Sequence, residues 1–133
     1  MLVVADGQRN TSDSPGRILV VDDDHTVADL IADVLTDEGY DVAVRYDGAA
    51  LPAALAEPPE LVLLDVRMPG ADGPEVCRRL KADPRTRGVP VVFVTATPQE
   101  LLSSRLGGCQ YEGVIHKPFH LAEMLSVVHQ HLG

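Results

Sequence analysis

The sequence is short of positive charge. Its 11 Lys plus Arg stand against 20 Asp plus Glu in 133 residues, a formal net charge of -9. A broad nucleic-acid footprint needs a concentrated basic surface, so direct nucleic-acid binding is not expected. Cysteine is scarce too. Cys77 and Cys109 sit far apart in the chain without metal-type spacing, and are expected as small buried or half-buried residues in a reducing compartment. No apolar run approaches the length of a membrane span, so no membrane insertion is expected. The opening stretch MLVVADGQRNTSDSPG lacks the basic flank and apolar core of a signal peptide. Residues 1–16 are expected as a flexible N-terminal extension of a cytoplasmic protein. Internal repeats and low-complexity tracts are absent.

What remains is ordinary globular material, 45% hydrophobic and 23% charged, which argues against a disordered chain. The length fits one domain, placed at residues 17–133, that buries roughly two-thirds of the surface its unfolded chain exposes. From Arg17 onward, short apolar runs alternate with helix-period segments. Ile18–Val21, Leu61–Leu64 and Val91–Val94 are continuous apolar runs, as strands buried on both faces require. Asp41–Tyr46 alternates like a strand near a sheet edge, and Gly113–His116 is a short fifth strand.

Helical periodicity fills the gaps. His25–Glu38 carries Val27, Leu30, Ile31, Val34 and Leu35 on one stripe, with Gly39 where a C-terminal cap belongs. Asp47–Pro59 is a weaker helix pairing Leu51 with Leu55, and Pro52 fits only in its first turn. Pro74 suits the first position of a helix through about Asp83. Pro98 opens a helix with Leu101, Leu102 and Leu106. The last helix, from about His120, aligns Leu121, Met124, Leu125 and Val128. Five strands alternating with five helices predict an α/β, flavodoxin-like (βα)5 doubly wound sandwich, its parallel sheet in order 2-1-3-4-5.

Ligands of such sheets bind outside the carboxyl ends of the strands. Asp22, Asp23 and Asp24 follow strand one, Asp65 strand three, Thr95 strand four and Lys117 strand five, while strand two, ending in Tyr46, adds nothing. Of the two lysines, Lys81 and Lys117, only the second stands at a strand end. Asp24 reads as a helix N-cap rather than a site residue. Gathered carboxylates raise one another's pKa or demand a cation. Oxygen donors without a Cys/His cage favour Mg2+ over Zn2+, and Mg2+ in turn favours a phosphoryl guest. A carboxylate attacking that group gives an acyl phosphate, which a Lys and a Thr hydroxyl can hold. His116 and His120 do not make a metal site, because Pro118 breaks the helix they would share.

Four segments carry a family resemblance: Ile18-Leu19-Val20-Val21-Asp22-Asp23-Asp24, Leu63-Leu64-Asp65-Val66-Arg67-Met68-Pro69-Gly70-Ala71-Asp72-Gly73, Val94-Thr95-Ala96 and Lys117-Pro118-Phe119. In this order at matching strand ends they resemble the receiver domain of two-component response regulators, over roughly Arg17 to Leu132. The resemblance implies that Asp65 is the phosphoacceptor. Asp22, Asp23 and the backbone carbonyl of Arg67 would hold Mg2+ with it, and Thr95 and Lys117 would bind the phosphoryl group. It implies a sensor histidine kinase or phosphotransfer protein as phosphodonor. The face of helix four, strand five and helix five would dock a downstream protein. The positions of Arg67 and Thr97 tune phosphoryl lifetime in the family, and Arg67 is expected to reach over the phosphoryl group. The sequence departs from the pattern at Val114, where receivers carry a switch aromatic, at Ala71, where methionine is typical, and at Pro52.

The expected function is phosphorelay signalling by a stand-alone receiver of chemotaxis-regulator type, without an attached output domain. It catalyses only its own phosphoryl transfer and dephosphorylation and is not a conventional enzyme. Two alternatives compete. A degenerate receiver would serve as a scaffold only. A haloacid-dehalogenase-type phosphatase would use the Asp22-Asp23-Asp24-His25-Thr26 run, with Asp22 as nucleophile and Asp24 as general acid. That reading lacks a later acidic motif, since only Glu123 follows Lys117 among the acids, and it leaves Asp65 unexplained.

Overall fold

A computed structural model describes residues 16–68 and 71–132. Almost all of the expected N-terminal extension, and Pro69 and Gly70 of the loop after Asp65, lie outside the described residues. The elements run β1 Arg17–Val21, α1 His25–Asp37, β2 Asp41–Arg45, α2 Ala50–Ala56 and β3 Leu61–Leu64. Then come α3 Gly73–Ala82, β4 Val91–Thr95, α4 Gln99–Arg105, β5 Gly113–His116 and α5 Leu121–Leu132. The five strands pair in parallel, in the order β2-β1-β3-β4-β5. The flavodoxin-like (βα)5 fold is therefore the one the alternation predicts. A two-residue antiparallel ladder, Arg67–Met68 against Ala71–Asp72, stiffens the loop after β3. It is too short to leave a periodic signal in the sequence.

Strand alternation divides the core in two. Ile18, Val20, Leu61, Leu63, Val92 and Val94 point to one face, where Ala28, Ile31 and Leu35 of α1 and Met124 and Val128 of α5 cover them. Leu19, Val21, Val62, Leu64 and Phe93 point to the other, against α2, α3 and α4. Burying strands on both faces explains why β1, β3 and β4 are apolar without interruption. Full burial of a side chain such as Phe93 contributes roughly 1.5–3 kcal/mol.

Four expectations about packing fail in detail. Leu30, Leu101 and Leu121 belong to apolar stripes yet are 47%, 44% and 39% exposed. Helices packed on a sheet bury a narrower arc than the stripe covers, and these residues sit on its margin. In α2 the buried positions are Ala50 and Ala54, with Leu51 and Leu55 only half-buried. Small residues let this short helix approach the sheet closely. Pro52 lies in its first turn, where no intrahelical bond is lost.

Local signals account for the element ends. The Asp24 side chain accepts a hydrogen bond from the Val27 amide as the N-cap of α1. Gly39 ends that helix with φ +98°, which a side-chain-bearing residue adopts only with strain. Gly73 opens α3 against the loop after β3. A Cβ there would collide with the Asp65 carbonyl oxygen and crowd the Val66 Cα.

Candidate functional site

The site is assembled by the carboxyl ends of β1, β3, β4 and β5, as the sequence predicts. Asp22 leaves β1 with its amide donating to the Arg45 carbonyl at the end of β2 (3.1 Å). Strand two is therefore not idle, because its last carbonyl anchors the first acid. The Asp65 amide extends the β1–β3 ladder by donating to the Val21 carbonyl (3.0 Å). In the same way the Lys117 amide donates to the Thr95 carbonyl (2.8 Å). Asp22, Asp65 and Lys117 are each the first residue beyond their strand and Thr95 is the last within its own, so the sheet holds their backbones at one edge.

Asp22, Asp23 and Asp65 each offer a carboxylate oxygen within 4.8 Å of the other two. Asp22 is 2% exposed and Asp65 8%, whereas Asp23 is exposed. Lys117 Nζ lies 2.7 Å from Asp22 Oδ2 and 3.5 Å from Asp65 Oδ2. Asp22 Oδ1 accepts from the Asp24 amide (3.0 Å), and Asp65 Oδ1 from the Val66 amide (2.7 Å). Burial, followed by the Asp22 charge, pushes the Asp65 carboxyl up to about 6, against the opposing pull of Lys117 and the Val66 amide. Burial alone would lower Lys117. The hydrogen bond to Asp22 and the charges of Asp22 and Asp65 outweigh it, and its pKa is raised. The ammonium is thus firmly charged, and one cation faces three acids.

That residual negative charge, carried by oxygen donors alone, fits a hard divalent ion that uses carboxylates and keeps waters. Among the described residues no other group of three His, Cys, Asp or Glu side chains is arranged to hold a metal. His116 instead pairs its Nε2 with Gln99 Oε1 (2.8 Å). Beside the acids, a cavity of about 330 Å3 is lined by Asp65, Arg67, Thr95, Thr97, Leu101 and Lys117, among others. Such a space, with a buried carboxylate, a charged ammonium and two hydroxyls on its wall, suits a small tetrahedral anion.

A family model of the response regulator receiver domain matches residues 18–129. The chain belongs to the receiver-domain family. The DNA-binding response regulator MtrA of Mycolicibacterium paratuberculosis is 44% identical over 120 residues, covering 87% of this chain and 51% of that protein. Response regulator PleD of Caulobacter vibrioides is 52% identical over 81 residues, covering 60% of this chain and 18% of its own. The chain spans about half the length of the MtrA relatives it matches. In structure it resembles the receiver domain of sensor histidine kinase PA1611 from Pseudomonas aeruginosa, with TM-score 0.83 and 27% identity over 89% of this chain and 98% of that one. That neighbour is described with a magnesium ion coordinated in its active-site cleft. Receiver domains act in phosphorelay signalling with histidine kinases and phosphotransfer proteins.

Within the receiver frame, the departures have clear structural places. Val114 is half-buried beside Phe93 in the β4–β5 ladder. Tyr111 packs edge-to-face on Phe93 at 5.6 Å between centroids. It precedes β5, at the end of the sheet away from Thr95, so it does not fill the place of the missing aromatic. The cysteines, distant in sequence, meet in space. The Cys77 thiol donates to the Gln110 carbonyl (3.4 Å), and Cys109 packs against the same core cluster. Asp24, the general acid of the haloacid-dehalogenase reading, accepts the Val27 amide as the N-cap of α1.

Sequence reasoning missed the Arg45 carbonyl and the pairing of Thr95 with Thr97, and it took in Gly73 only as part of a family segment, not for its close approach to the Asp65 carbonyl. Only the glycine leaves a readable signal, as a non-alanine small residue opening a helix beside a functional loop.

Proposed function

We propose that this receiver domain is phosphorylated on Asp65 and signals through protein contacts. The observation that carries the reading is the Asp65 carboxylate, buried at a strand end, facing a cavity it shares with Thr95 and Lys117. An Asp65 oxygen attacks the phosphorus of a phosphohistidine or acyl phosphate. The P–N or P–O bond to the donor breaks and its electron pair leaves with the donor, giving an aspartyl phosphate. Hydrolysis reverses the gain, with water attacking phosphorus and the carboxylate departing. Lys117 meets a phosphoryl oxygen with its ammonium, and Thr95 donates its hydroxyl to another. With a pKa of about 6, Asp65 is mostly ionised at neutral pH and available as nucleophile.

Asp22, Asp23, Asp65 and the Arg67 backbone carbonyl would hold Mg2+. When bound, the ion supplies charge neutralisation between the acids and the incoming phosphoryl oxygens. The Arg67 side chain is exposed and lines the cavity, which supports its reaching over the phosphoryl group and limiting water access. The chain catalyses only its own modification and release, and is a switch rather than a conventional enzyme. Phosphorylation adds about -1.5 to -2 charge beside Thr95 and Lys117 and biases the loops that carry them. The readout surface in this proposal is α4, β5 and α5, where Leu101 already offers exposed apolar surface.

A net charge of -9 favours protein rather than nucleic-acid partners. Among the described residues no helix is long and apolar enough to cross a membrane, and a cytoplasmic setting suits the two free thiols.

The test is intact mass after incubation with acetyl phosphate, with and without Mg2+, on the protein and its Asp65→Asn variant. A Mg2+-dependent gain of one phosphoryl group, lost in the variant, is expected. No gain from acetyl phosphate or from a phosphorylated histidine donor would overturn the proposal in favour of a scaffold. Phosphomonoester turnover that survives Asp65→Asn would favour the phosphatase reading.

A further inference from the structure

Thr95 is 1% exposed, and its hydroxyl is already engaged. It accepts a hydrogen bond from the Thr97 amide (2.9 Å) and donates its proton to Thr97 Oγ1 (2.8 Å). A hydroxyl has one proton to give. Phosphoryl oxygens at neutral pH are acceptors, so Thr95 can bind one only with that proton. The amide bond uses a lone pair and does not compete, whereas the bond to the Thr97 hydroxyl does.

We infer that Thr97 is a positioning residue that holds the Thr95 hydroxyl in the unphosphorylated state and competes with the phosphoryl group for its proton. This rests on the phosphoacceptor reading of Asp65 and deepens it. At the position of the switch aromatic the chain has Val114, half-buried beside Phe93. With no aromatic ring there, the resting place of Thr95 is set by a hydrogen bond two residues along its own loop. Thr97 also lines the cavity itself.

The competition predicts a gain on removing the acceptor. Thr97→Val keeps the amide, the branching and nearly the volume, but cannot accept the Thr95 proton. Thr97→Ser keeps the acceptor. Binding of beryllium trifluoride, a phosphoryl mimic, is measured in saturating Mg2+ by NMR titration of the full chain. From the net worth of a neutral hydrogen bond, Thr97→Val is expected to bind about three- to ten-fold tighter than the parent, with Thr97→Ser close to the parent. In a Thr95→Ala background, Thr97→Val should have no effect.

Equal or weaker binding by Thr97→Val overturns the inference, as does a gain that persists in Thr95→Ala, because a packing effect would not need the Thr95 hydroxyl. Failure of the underlying reading looks different. There the parent would bind no mimic, or would bind it as well with Asp65→Asn, and the inference falls with it. If the parent binds and Asp65→Asn does not, the Thr97 comparison stands alone.

Discussion

Replacing Asp65 with Asn should stabilise the metal-free protein. Burial, then the Asp22 charge, raises this carboxyl from 3.8 to about 6 on folding. The native state therefore holds the proton more tightly than the unfolded chain does. Below 3.8 both states are protonated and the site costs nothing; the cost grows as pH rises and is complete above about 6. A rise of about two units corresponds to about 3 kcal/mol, at roughly 1.4 kcal/mol per unit. Asn removes the charge and keeps an oxygen to accept the Val66 amide, 2.7 Å away in the parent. Lys117 retains its 2.7 Å contact with Asp22.

Asp65 is 8% exposed, and the screening this allows reduces the gain, which we expect to be about 1–3 kcal/mol at pH 7.5 in EDTA. Urea unfolding monitored by far-UV circular dichroism reads it directly. The difference should shrink toward zero by pH 4. Added Mg2+ should reverse the order, because a ligand that binds the native parent stabilises it by mass action. A variant no more stable than the parent at pH 7.5, or a difference that ignores pH, would refute the reasoning.

Three other perturbations follow from the same geometry. Lys117→Met leaves Asp22, 2% exposed, without its cation, and should cost about 3 kcal/mol in EDTA, partly recovered in Mg2+ denaturation curves. Gly73→Ala would gain about 1 kcal/mol in an ordinary helix. Here the new Cβ meets the Asp65 carbonyl oxygen, so a loss of about 1–3 kcal/mol is expected in urea, together with slower phosphorylation by acetyl phosphate. Cys77 is buried, and desolvation ahead of its neighbour Cys109 pushes its thiol up to about 12. Iodoacetamide at pH 8 should label Cys109 first and Cys77 only on unfolding, and equal native rates would contradict the described packing.

The sheet and the chemistry at its edge are legible because two independent signals agree. Unbroken apolar runs mark strands covered on both faces, and every run but one ends in a group able to bind an anion or a cation. Side-chain detail is less legible. The stripes that include Leu30, Leu101 and Leu121 are correct as helices, but periodicity does not say how wide an arc the neighbouring sheet covers. Ala50 and Ala54 carry the buried face of α2, a choice of face that periodicity alone does not encode. The Arg45 carbonyl and the meeting of Cys77 with the loop at Cys109 are tertiary facts between segments distant in sequence. Thr97 stands two residues beyond Thr95 in plain view, but that the two hydroxyls meet depends on the fold of the loop.

The strand order carries a consequence for how the molecule comes together. β1 sits between β2 and β3, so the first half of the chain can pair all three strands and set Asp22, Asp23 and Asp65 side by side. The ammonium that offsets them arrives only with Lys117, beyond β5, which pairs with β4 alone at the far edge. A nascent chain stopped short of β5 would hold three crowded carboxylates with no lysine between them. Divalent ions present during synthesis would then ease the first half together, and docking of the final strand would complete the charge balance along with the sheet.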